Sequence, residues 1–175
     1  MSALVQIHER QAKDGKILVG IGDLAISQDR DATIITHALG SCIGVTVYDP
    51  VAGVGGLLHF MLPSAGRGDT PSGDKALTFG DVAVPILFKA CYEMGAKKER
   101  LIVCAAGGAE ILDDGGHFKV GNRNRTILRK LFWKNNVLLS SEDTGGAISR
   151  TLSLVMGDGA VQVRNKGKVR TLWPE

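Results

Sequence analysis

Residues 36–63, THALGSCIGVTVYDPVAGVGGLLHFMLP, hold two apolar, β-branched runs, Ile43 to Tyr48 and 54–62, on either side of Asp49-Pro50. β-Branched side chains suit a pleated strand, and Asp-Pro followed by Gly53 is turn chemistry, so the stretch reads as a β-hairpin. With Pro50 at the second position of a type I turn and Gly53 left-handed at its close, the loop falls at Asp49 to Ala52 and Tyr48 faces Gly53. In that register Cys42 lies directly opposite His59, with Cβ atoms ~4.5–5.5 Å apart. A slip of one residue would put the two on opposite faces.

Strand alternation puts Ile43, Val45 and Val47 on one face, and Cys42 with Gly44, Thr46 and Tyr48 on the other. So many β-branched residues disfavour a helix beginning at Cys42. A lone histidine in an apolar strand such as GGLLHFML is on base rates a satisfied core residue, but a facing cysteine changes that reading. A neutral imidazole can take a thiol's proton and make a thiolate nucleophile, provided a third group fixes the ring tautomer. Thr36, on the strand before the cysteine turn, can supply that oxygen from its hydroxyl or its carbonyl. Gly40 and Ser41 leave room for a ligand carbonyl and are the expected backbone N–H donors to an oxyanion.

Working outward, strands are expected at 16–22, 32–38, 101–106 and 137–141, and a hairpin at 148–156 and 160–164 around Gly157-Asp158-Gly159. Asp143-Thr144-Gly145-Gly146 reads as a turn, and 63–75, rich in Gly, Pro, Ser and Asp, as an exposed loop. A helix is expected from Thr78 to about Met94, capped by Thr78 or Asp81 and stopped by Gly95. A second, basic and amphipathic, covers 123–134 with Ile127, Leu128, Leu131 and Phe132 inward. Runs of strands, without strict strand–helix alternation, predict an α+β domain with two main helices and argue against a doubly wound parallel sheet.

The 175 residues suffice for one domain with its own core, and three cysteines without a CxxC pair imply neither a disulfide framework nor a zinc site. Cys91 and Cys104 read as small buried hydrophobes. The first residues lack the apolar core of a signal peptide, so a reducing cytoplasmic setting is expected, with no membrane insertion. Net charge +3 is too small to argue for nucleic acid. Arg123, Arg125, Arg129, Lys130 and Lys134 read as a solvated helix face, and Arg164, Lys166, Lys168 and Arg170 as a charged edge strand; an acidic protein partner is the next reading. Gly20-Ile21-Gly22-Asp23-Leu24-Ala25 matches a dinucleotide fingerprint, but no long helix follows, so a glycine turn is the better assignment. His8, His37 and His117 carry little information, and Asp113-Asp114 reads as a solvated pair.

THALGSCIGVTVYDP followed by GGLLHFMLP resembles the chemoreceptor glutamine deamidase family, CheD. Thr36 with Gly40-Ser41-Cys42, and Gly55, His59 and Met61-Leu62-Pro63, fit its two central motifs. The similarity continues through Gly107-Gly108-Ala109, Gly121-Asn122-Arg123-Asn124 and Asp143-Thr144-Gly145-Gly146. It implies an α-β sandwich with mixed sheets akin to toxin-type cysteine deamidases, spanning 16–175 behind an N-terminal extension, 1–15. It also implies a protein-glutamine glutaminase that converts receptor glutamines to glutamates and releases ammonia without cofactor or metal. Cys42 would be the nucleophile, His59 the general base and acid, and Thr36 the group orienting it. The implied partners are the cytoplasmic domain of a chemoreceptor and the phosphatase CheC, and a monomer is expected. A non-catalytic module binding receptor or CheC, and a cysteine hydrolase of receptor methyl esters, are the alternatives.

Overall fold

The computed structural model describes residues 6–111 and 118–175. Asp113, Asp114 and His117 lie outside them. Ten strands and two α-helices follow in chain order among the described residues. They are β1 (Lys16–Val19), β2 (Asp23–Ser27), β3 (Thr33–Leu39), β4 (Ile43–Asp49), β5 (Val54–Phe60), α1 (Gly80–Glu93), β6 (Ile102–Gly107), α2 (Val120–Lys134), β7 (Ser141–Thr144), β8 (Arg150–Val155), β9 (Val161–Asn165) and β10 (Lys168–Trp173). One five-stranded sheet runs β2-β5-β4-β6-β7 and the other β1-β3-β8-β9-β10. Both are mixed, since β1 with β3 and β6 with β7 are parallel and the other pairs antiparallel. The expected α+β sandwich with two main helices is the observed architecture. No helix among the described residues is long and apolar enough to cross a membrane.

Strand alternation sorts the core into two layers. Ile43, Val45, Val47, Leu58 and Phe60 point from β4 and β5 toward Val84, Leu87 and Phe88 of α1 and Leu128 and Phe132 of α2. The opposite face, with Tyr48, Leu57, Cys104 and Ala106, packs on Ile34, Leu152, Leu154 and Met156 of the second sheet. Cys42 belongs to this inter-sheet layer. The sheets approach closely because Gly44 and Gly55 lack side chains there: a Cβ would press on Leu152 and Leu39 at the first and on Met156 at the second.

Several expectations need correction. The β4–β5 hairpin forms, but its register differs by two residues: Tyr48 pairs with Gly55, and His59 stands opposite Gly44, not Cys42. The turn explains the shift. Asp49 stays in the strand, paired with Val54, while its carboxylate accepts the N–H groups of Val51 and Ala52 at 2.9 and 3.1 Å and its carbonyl that of Gly53 at 2.9 Å. The loop is therefore 50–53, with Gly53 at φ 66° inside it. A shift of two preserves the faces, so Cys42 and His59 remain on the same one.

The strand expected at 16–22 is only β1, and the chain turns at the glycines into β2. The helix expected from Thr78 starts at Gly80, after a short 3-10 turn, and is capped by neither Thr78 nor Asp81. Leu62 and Pro63 carbonyls take the N–H groups of Gly80 and Asp81 at 2.8 and 3.1 Å, so the chain leaving β5 does the work of a cap. The strand expected at 137–141 begins at Ser141 and includes Asp143 and Thr144, assigned above to a turn. β10 is an edge strand carrying Lys168 and Arg170, in accord with the charged-edge reading, but Arg164 lies on β9, one strand in, and Lys166 in the turn between the two. Before β1, Arg10 donates to Ile26 O at 2.9 Å and pairs with Asp23, so this stretch lies against β2.

Candidate active site

The site begins where β3 fails to continue. Its ladder with β8 shifts between Thr36 and Leu39, and Ala38 takes the left-handed conformation at φ 58°. Gly40 then folds its N–H onto Ala38 O at 3.0 Å, and the chain reverses through Ser41 into Cys42 at the head of β4. Cys42 O accepts the N–H of Gly108 at 2.8 Å, and Gly40 O that of Ala109 at 2.9 Å, so the end of β6 holds the turn from one side. Gly107, at φ 109°, is required there, because a Cβ would overlap the Cys42 carbonyl oxygen.

His59 sits on β5 between Gly44 of β4 and Asp23 of β2 and is fully buried. Its Nδ1 lies 2.7 Å from Thr36 Oγ1. The same hydroxyl is 2.7 Å from Val19 O, which can only accept. A hydroxyl has one proton, and Val19 takes it. Thr36 Oγ1 must then accept from His59, so Nδ1 carries the ring hydrogen and Nε2 the lone pair. Nε2 is buried and has no hydrogen-bond partner among the described residues. Cys42 immediately precedes β4 and packs in the inter-sheet layer, the face on which Gly44 stands opposite His59; a ladder continued to Cys42 would make it the diagonal neighbour of His59, at roughly 7–8 Å.

Burial keeps both groups neutral. It lowers the His59 pKa to about 4, opposed by the nearby charge of Asp23. It raises the Cys42 thiol above its ordinary value, with the residue's own backbone N–H opposing. The resting pair is thus thiol and imidazole. Cys91 and Cys104, both fully buried, are pushed up to about 12 and about 11 by desolvation and are inert, as expected from their apolar settings.

Of the residues singled out in the sequence, Thr36 and His59 meet directly, and Gly40, Ser41 and Cys42 form the adjoining turn. The Gly40 N–H is committed within the turn to Ala38 O at 3.0 Å. His8 and His37 are exposed, the latter with Nδ1 3.3 Å from Thr151 Oγ1. Sequence reasoning missed two members. Val19 acts through a backbone carbonyl, which no residue type signals. Asn124, noted above only as part of a family motif, is fully buried and donates from Nδ2 to Ser41 O and to Met61 O, each at 2.9 Å.

A family model described as CheD chemotactic sensory transduction matches residues 61–165. That span includes Asn124 but begins after Thr36, Cys42 and His59. "Probable chemoreceptor glutamine deamidase CheD 1" of Syntrophus aciditrophicus is 47% identical over 157 residues, covering 87% of this chain and 96% of the relative. Proteins named probable chemoreceptor glutamine deamidase CheD from Solibacter usitatus and CheD 2 from Anaeromyxobacter dehalogenans are 39% and 42% identical, over 91% and 89% of this chain and 94% and 98% of theirs. Among solved structures, the hypothetical protein YfiH of Bacillus licheniformis superposes with a TM-score of 0.41 at 12% identity, over 71% of this chain and 49% of that one.

Proposed function

The chain belongs to the CheD family, and on that premise we propose that it is a protein-glutamine deamidase acting on chemoreceptors, with Cys42 as nucleophile, His59 as general base and acid, and Thr36 as the residue orienting the imidazole. The observation that supports the roles is the relay Val19 O, Thr36 Oγ1, His59 Nδ1, at 2.7 Å per step, which leaves the buried Nε2 with its lone pair free among the described residues.

Cys42 sulfur attacks the glutamine carboxamide carbon while its proton passes to His59 Nε2. The oxyanion takes hydrogen bonds from the Ser41 and Cys42 N–H groups. His59 returns the proton to the departing nitrogen, ammonia leaves, and a thioester remains on Cys42. Water, deprotonated by His59, attacks that thioester; the sulfur leaves and recovers a proton, and a glutamate side chain is released. The balance is glutamine plus water giving glutamate plus ammonia, with no redox change. Cys42 is only 8% exposed, which favours a narrow, unbranched side chain reaching inward from a protein surface.

The reading sets the reaction at the cytoplasmic domain of the receptor, with residues 16–175 as the deamidase domain and 1–15 as an extension. CheC as a binding partner and a monomeric state complete the proposal. The test is ammonia release from a recombinant receptor cytoplasmic fragment. Wild type should release it, Cys42→Ala none, and His59→Gln 10²- to 10⁴-fold less, roughly the contribution of a general base. Undiminished release by Cys42→Ala would refute the assignment.

A further inference from the structure

We propose that Asn124 is a positioning residue that sets where the Cys42 turn stands relative to the His59 strand. Its readout in catalysis rests on the deamidase reading; its geometry does not. Asn124 is fully buried on α2, and its two Nδ2 hydrogens are both spent, one on Ser41 O and one on Met61 O, at 2.9 Å each. Ser41 is bonded to the nucleophile, and Met61 lies two residues beyond His59. A single carboxamide therefore joins the two segments that carry the thiol and the base. Its orientation is unambiguous, since the flipped amide would aim an oxygen at two carbonyl oxygens.

The cost of this arrangement is visible. Asn124 Oδ1 is buried with no hydrogen-bond partner among the described residues. An apolar side chain would avoid that unpaired oxygen, but it could not link the two carbonyls. The helix bearing Asn124 is itself seated on the turn's other support: a Cβ at Gly121 would overlap Ala109 O, and Ala109 N–H holds Gly40 O. The Cys42 turn is thus held from β6 through Gly108 and Ala109 and from α2 through Asn124. Misplacement of reacting atoms by about 1 Å can lower a rate on the order of 100-fold, so a clamp at this point bears on rate more than on binding.

The experiment compares Asn124→Asp, which keeps the shape and removes both donors, and Asn124→Ser with Leu128→Ala. Leu128 is buried one turn along α2 in the helix-facing core, a different layer from the one that holds Cys42. Turnover of a receptor fragment is measured beside the pH profile of Cys42 alkylation by iodoacetamide, followed by peptide mapping, which needs no substrate. The expected result is a kcat lower by about 100-fold in Asn124→Asp with KM changed less than about threefold, and an alkylation profile that moves to that of His59→Gln. Asn124→Ser, with one donor, should fall between. Leu128→Ala should lower the melting temperature yet keep the wild-type profile and kcat where it is folded. A wild-type alkylation profile in folded Asn124→Asp, or the same change in Leu128→Ala, would overturn the proposal. If wild type turns over no receptor but the Asn124 variants still shift the alkylation profile, the deamidase reading fails and the positioning role stands.

Discussion

Thr36 has one hydroxyl proton, and the direction in which it points decides the chemistry of the site. Because Val19 O takes it, the ring of His59 is fixed with its hydrogen on Nδ1 and its lone pair on Nε2. Thr36→Ser should keep most activity, whereas Thr36→Val, nearly the same shape, should lower kcat on the order of 100-fold by freeing the tautomer. Equal turnover in the two would contradict the relay. The pH dependence has a definite sign. Folding lowers the His59 pKa from 6.5 to about 4, so the unfolded chain takes up the proton first. Stability from this group is complete above pH 6.5 and is lost as pH falls through about 4, by roughly 3 kcal/mol in all. Urea melts between those limits should fall steeply in wild type and be flatter in His59→Gln. At this scale the sequence was partly legible: it set Cys42 and His59 on one face with Thr36 close by, but placed Cys42 directly opposite His59, two residues out of register. The Val19 carbonyl and the Asn124 amide were not legible, since each acts by contact with backbone that only the folded chain supplies.

Among the elements, the β4–β5 turn and the end of β6 govern how the site is held. Asp49 is fully buried and faces Arg100, with contacts of 2.7 to 3.0 Å. Burial would raise its pKa, but Arg100 and the N–H groups of Lys97, Ala52 and Val51 hold it down at about 2. Asp49→Ala, which leaves the guanidinium partly buried and the turn unpaired, should cost about 3–5 kcal/mol, read as a lower urea midpoint. Gly107→Ala and Gly40→Ala form a second comparison. A methyl at Gly107 meets backbone at positive φ, whereas at Gly40 it meets the movable end of Ile111, 2.9 Å away. The first should cost at least about 2 kcal/mol and the second less than about 1 in the same melts. The elements that the sequence misassigned share a physical cause. β7, SEDT, is polar and becomes a strand only by parallel pairing with β6, while the apolar Val137 and Leu139 just before it pack on the helix-side core without joining a ladder. Likewise the register depended on Asp49 staying within the strand, a choice made by Arg100 and Lys97, 51 and 48 residues away.

For the whole molecule, the two-sheet sandwich explains why Thr36, His59 and Cys42 are all buried. Thr36 comes from the second sheet and His59 and Cys42 from the first, so the hydrogen-bond relay crosses the layer between them. The α+β class was legible from its strand runs and the sandwich only from the family resemblance; the division of strands between sheets was not legible, because β1 and β3 pair across a segment that leaves for the other sheet and returns. The central claim is that Cys42 performs glutamine deamidation through a covalent thioester. Its most direct test is to incubate the protein with a receptor cytoplasmic fragment in ¹⁸O-labelled water and to sequence the products by mass spectrometry, with an acid-quenched sample of the enzyme alongside. The account predicts specific glutamines becoming glutamates with label in the new carboxyl group, a transient adduct on Cys42, and neither in Cys42→Ala. Labelled glutamate formed at the wild-type rate by Cys42→Ala would contradict it.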